Sequence, residues 1–108
     1  MKILVPAVAL TAMLAHDPGE LDGDWFNSLR NHAGVSCCGN HHDCDTVSDY
    51  QPGPAPGSYR ALWHGTWVDV PAYVVLTRSD NPTGLPVLCV MHIDGAPIAG
   101  CFVRPAEG

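Results

Sequence analysis

Cys37, Cys38, Cys44, Cys89 and Cys101 constrain this chain more than any other residues in it. Five cysteines in 108 residues is dense usage. A polypeptide of this size buries limited apolar surface, so covalent cross-links weigh heavily in its stability. Each bridge contributes about 2–4 kcal/mol, chiefly by restricting the unfolded chain. Disulfides persist in oxidising compartments, so the cysteines carry an expectation about location as well as shape. Five is odd: two bridges leave one thiol over, free or paired with a partner. Five choices of the odd cysteine times three pairings leave fifteen connectivities open. Cys37 and Cys38 are neighbours, a strained pair to bridge directly, so each is expected to bond elsewhere.

The N-terminus agrees with export. Met1-Lys2 is a short positive start, and residues 3–14 are apolar apart from Pro6 and Thr11. Ala15 is a small residue before the abrupt polar switch at His16-Asp17-Pro18. That order is the layout of a signal peptide over residues 1–15, with Met13 standing where a small residue is usual. A dozen residues rise about 18 Å as a helix, too short for a hydrocarbon core of roughly 30 Å, so no permanent membrane span is expected. Residues 16–108 then form one small disulfide-stabilised domain, periplasmic or secreted. A formal charge of −6, with five cations spread singly, argues against nucleic acid and against a polybasic membrane patch. Ten prolines and eleven glycines make the chain rich in turns.

Asp22-Gly23-Asp24 offers helix N-caps, and Trp25, Phe26, Leu29 and Ala33 share one helical face. Gly34 is a natural terminator, so the pattern predicts a helix over 23–33. Residues 46–50 read as a short strand, and 51–57, with three prolines, as an exposed loop. Residues 58–70 predict a hairpin turning at His64-Gly65. Its register sets Leu62 opposite Trp67 and Arg60 opposite Asp69, leaving Tyr59, Ala61, Trp63, Val68 and Val70 on an apolar face. Residues 73–77 read as a further strand and 78–84 as a loop.

A second hairpin, 87–93 with 97–103, turns around Asp94-Gly95. A two-residue turn sets Cys89 opposite Gly100; a three-residue turn sets it opposite Cys101. Asp-Gly favours the two-residue turn, which puts the two sulfurs on opposite faces, each reaching back to the 37–44 segment. The expected fold is α+β: one N-terminal helix packed on a small twisted antiparallel sheet of four or five strands.

Residues 37–44 gather Cys37, Cys38, His41, His42, Asp43 and Cys44. Thiolate and imidazole suit zinc or copper, so Cys37, Cys38, His41, His42 and Cys44 are an alternative metal set. The spacing matches no standard zinc motif, and Cys-x-x-Cys, Gly-x-Ser-x-Gly and His-Glu-x-x-His are missing from the sequence. The first expectation is therefore a non-catalytic binding module without a cofactor, the thiols being consumed as disulfides. Its contact surface, for a protein or a small ligand, is the Leu62/Trp67 face or the His41-His42 loop. The odd cysteine leaves a thiol-dependent enzyme as a third reading.

The order His16-Asp17, Trp25-Phe26, Cys37-Cys38, Asp43-Cys44, Gly65-Thr66-Trp67-Val68-Asp69-Val70-Pro71 and Cys101-Phe102 resembles small exported cysteine-rich proteins of alphaproteobacteria. The resemblance covers most of residues 16–108. It implies export and a shared architecture; that family has no assigned activity, so it carries no catalytic residue.

Overall fold

The computed structural model describes residues 22–39 and 42–106. The expected signal peptide, His16-Asp17 and His41 lie outside the described residues. Among the described residues one α-helix, α1 (Gly23–Ser28), is followed by seven strands: β1 (His42–Thr46), β2 (Tyr50–Pro52), β3 (Tyr59–Trp63), β4 (Thr66–Val70), β5 (Val75–Leu76), β6 (Val87–Ile93) and β7 (Ala96–Val103). They form two sheets, of order β1-β6-β7-β5 and β2-β3-β4. The expected single sheet is thus two, and β5 joins β7 in parallel.

The four-stranded sheet is the middle layer. Along β6, Val87 and Cys89 face one side while Leu88 and Val90 face the other, and all four are buried. A continuous apolar run is what a strand covered on both faces requires. One face packs with Phe26, Leu29, Leu76, Val103 and the cysteines. The other packs with Ala61, Trp63, Val68, Val70 and Phe102, beneath the three-stranded sheet.

The β3–β4 hairpin has the expected register residue for residue, Tyr59 with Val70 through Trp63 with Thr66. His64 and Gly65 both take positive φ, as do Asp94 and Gly95, the backbone of a primed two-residue turn. The proline loop is pinned by Ser58, whose Oγ donates to the Ala55 carbonyl at 2.7 Å and accepts from the Ala55 N–H at 3.1 Å.

The helix is shorter than expected. Leu29 is already extended (φ −70°, ψ 133°). From there Arg30 pairs with Ser36, the Cys37 N–H donates to the Leu29 carbonyl at 2.9 Å, and Asn31 Oδ1 accepts from the N–H groups of Ala33 and Val35 at 2.9 and 3.0 Å. An Asn side chain bonding its own backbone competes with the helix ladder. The Asp22 carboxylate makes no cap; its backbone carbonyl accepts from Phe26 at 3.1 Å instead. What packs on the sheet is therefore one six-residue helix and the tight turn after it.

The strand expected over 46–50 is displaced to His42–Thr46, where buried Cys44 sits between exposed Asp43 and Asp45. Acids on the wet face hid that alternation. Val47–Asp49 then crosses between the sheets, and β2 takes Gln51 and Pro52 out of the expected loop as an edge strand. Over 73–77, a 3₁₀ turn at Ala72–Val74 leaves only two strand residues and turns Tyr73 to solvent.

Candidate functional site

Three cysteines line up across the middle sheet. In β1, Cys44 stands opposite Cys89 of β6, and Cys89 stands opposite Cys101 of β7. Asp94-Gly95 makes the two-residue turn the sequence favoured, and Ile93 pairs with Ala96 through to Val90 with Ala99. A register shift then follows: Gly100 is the extra residue, and Cys101 rather than Gly100 meets Cys89. A one-residue bulge reverses the side-chain parity of the strand. Ala99 consequently faces the aromatic side and Cys101 the sulfur side.

The adjacent pair Cys37-Cys38 lies over this row. Cys37 is bonded to Cys101, with Cα atoms 6.0 Å apart. Cys44 meets two sulfurs, that of Cys38 (Cα–Cα 5.7 Å) and that of Cys89 (Cα–Cα 3.9 Å). The Sγ atoms of Cys38, Cys44 and Cys89 all lie within 4.8 Å of one another, and the three residues are 6%, 6% and 1% exposed. The Cys44 sulfur also sits 3.4 Å from the Cys37 carbonyl oxygen. The chain reaches back from β6 and β7 to the 37–44 segment, as expected.

The alternative metal set is divided by this geometry. Cys38 and Cys44 belong to the sulfur group, Cys37 is tied to Cys101, and Cys89 enters in its place. His42 is half-buried in β1 opposite Met91 and outside the group. Gly100 in an otherwise apolar strand was the signal for the bulge that brings Cys89 and Cys101 level. His64 Nε2 lies 3.2 Å from the Asp45 carboxylate and its ring stacks on Trp63, with both members of the His64–Asp45 contact largely exposed.

The second feature is a groove. Trp67, 37% exposed, carries the Arg60 guanidinium 5.4 Å from its ring centre, with Asp69 3.6 Å from Arg60. Leu62 is half-buried opposite Trp67. Between β4 and the first half of β7 runs a groove of about 360 Å³ lined by Trp67, Asp69, Pro71, Pro97 and Ile98. Among the described residues no strand pairs with the outer edge of β4, and β5 pairs with β7 only at Phe102 and Val103. The sequence marked Trp67 but not Ile98, which lies on the other sheet.

Arg78 and Asp80 form a third polar feature. The guanidinium donates twice to the carboxylate, at 2.8 and 2.7 Å, and holds Asp80 down to about 2 against a burial effect of opposite sign. The Trp25 ring lies beside Arg78, 5.8 Å from its guanidinium carbon. Among the described residues no helix is long and apolar enough to cross a membrane. Comparison with known protein families, with curated proteins and with solved structures found no match.

Proposed function

We propose that this chain is an exported, disulfide-cross-linked binding module that receives an extended segment of a partner protein along the outer edge of β4. The observation that carries the reading is that, among the described residues, the outer edge of β4 is unpaired beside a groove, with Trp67 and Ile98 exposed on its two sides. An unpaired strand edge offers backbone N–H and C=O groups to a second strand, and flanking pockets select its alternate side chains. Trp67 and Ile98 supply apolar anchors, and Arg60 with Asp69 supplies polar contacts at the margin. Export is supported by the N-terminal residue pattern, by the resemblance, and by buried cysteines in disulfide contact. No catalytic step belongs to this reading.

The test is selection of displayed random peptides on the intact oxidised protein, followed by amide exchange of the complex. Peptides with alternating apolar residues should be recovered. Their binding should protect β4 amides, and Trp67→Ala with Ile98→Asp should abolish it without lowering the melting temperature by more than a few degrees. Recovery of no peptide, or binding untouched by these substitutions, overturns the reading.

A second reading rests on the sulfur group. In a reductant, Cys38, Cys44 and Cys89 offer three converging thiolates, a donor set for copper(I) or zinc. Titration of the reduced protein with each metal should then give one bound ion, lost in Cys89→Ala and retained in His42→Ala.

A further inference from the structure

Cys38, Cys44 and Cys89 form a group that counting alone makes unusual. A disulfide sulfur has one sulfur partner, yet Cys44 lies beside two, those of Cys38 and Cys89. With Cys37 and Cys101 joined, three sulfurs remain for one bond. Of the two pairings the structure forms at Cys44, a single molecule holds one at a time: Cys44–Cys89 with a thiol at Cys38, or Cys38–Cys44 with a thiol at Cys89.

We propose that these two isomers interconvert in the folded protein, and that the trio is a disulfide shuttle which presents or withdraws a modifiable thiol at Cys38. The step balances without any oxidant or reductant. The Cys38 thiol loses its proton, and the thiolate attacks Sγ of Cys44. The Cys38–Cys44 bond forms as the Cys44–Cys89 bond breaks. The bonding pair leaves on Cys89, which takes up the proton. The three sulfurs lie within 4.8 Å of one another, so the exchange asks for side-chain rotation rather than rearrangement of the sheet.

The isomers differ in what the outside can reach. Cys38, 6% exposed, lies outside the sheet in the irregular stretch that follows α1, so uncovering it asks for opening of that stretch alone. Cys89 is 1% exposed in β6, paired with β1 on one side and β7 on the other, and is uncovered only when the sheet comes apart. The chemical class of partner for the presented thiol is a small disulfide. The Cys38 thiolate attacks it, a mixed disulfide forms at Cys38, and one thiolate leaves.

The test uses the oxidised full protein. A sample is quenched in acid, which stops thiolate attack, then unfolded and labelled with a maleimide at mildly acidic pH, and the label is located by peptide mapping. The label should divide between Cys38 and Cys89. Prior treatment of the folded protein with the maleimide at neutral pH should drain the Cys89 fraction into Cys38, at a rate rising about tenfold per pH unit below the thiol pKa. Glutathione disulfide should add one glutathione at Cys38. Cys38→Ala and Cys89→Ala each retain two bonds and should take no label at all. Label on one cysteine alone at the first step overturns the proposal. So does a Cys89 fraction that native treatment leaves unchanged, which would mean two fixed populations. These outcomes are independent of whether a peptide binds at β4.

Discussion

On one face of the middle sheet, six helical residues and an irregular turn cover Val87, Cys89, Cys101 and Val103. On the other face a complete three-stranded sheet lies over Leu88, Val90 and Phe102. The aromatic face holds itself by area and shape: Phe102 is fully buried, with Tyr50 and Tyr59 rings centred 5.8 and 5.5 Å away. The sulfur face has little regular backbone to bury, and the cysteines lie there. Cross-links thus stand where layer packing is thin, and a chain of this length needs both devices.

Full reduction tests the contrast most severely. Two bridges at about 2–4 kcal/mol each are a large share of the roughly 5–15 kcal/mol typical of a domain. Thermal scans with and without reductant should show the melting temperature falling steeply or the cooperative transition vanishing. Amide exchange in the reduced chain should rise over residues 29–39 before it rises in the β3–β4 hairpin. Equal protection of both regions would erase the distinction between the two faces.

Phe102→Ala and the double change Cys37→Ala/Cys101→Ala separate the two mechanisms at similar cost. Truncating the buried ring should remove about 3–5 kcal/mol. Losing the bond across a 64-residue separation should remove about 4 kcal/mol. Urea unfolding in reductant sharpens the comparison: the Phe102 deficit should persist there, whereas the cysteine deficit should disappear.

Within the sulfur face, Cys38→Ala should be milder than Cys89→Ala. The first keeps a bond spanning 45 residues and the second one spanning 6. Loop-closure entropy alone makes the difference about 2 kcal/mol, readable from urea midpoints of the two oxidised variants.

The smallest effect lies at the edge of the sulfur face. Arg78 depresses the Asp80 carboxyl to about 2, so the pair stabilises at neutral pH and the contribution fades as pH falls from about 4 towards 2. Both groups meet solvent, which screens the pair. In Arg78→Gln the Asp80 carboxyl, followed by NMR, should titrate closer to 3.8. An unmoved titration would remove Arg78 as the cause.

The β3–β4 hairpin was legible residue by residue because everything that specifies it is local. His64-Gly65 suits the turn, and the period-two alternation pairs apolar with apolar and Arg60 with Asp69. The helix was legible only in part. Its first turn follows the Trp25/Phe26/Leu29 pattern, but Asn31 diverts the backbone through hydrogen bonds that helical spacing does not reveal. The Asp94-Gly95 turn is legible in the sequence, but its consequence for Cys101 is not, because the bulge at Gly100 reverses the parity set by the turn.

By itself, the amino-acid sequence determined that an odd set of cysteines must leave one sulfur over, that two tight turns fold back two hairpins, and that the formal charge is −6. These follow from counting, valence and short-range sterics. Tertiary structure decided which sulfurs meet, that β6 is covered on both faces, and that Trp67 and Ile98 flank one groove. Each of those depends on strands distant in sequence settling into one register, and a register is chosen by the packing of the whole sheet rather than by any segment alone.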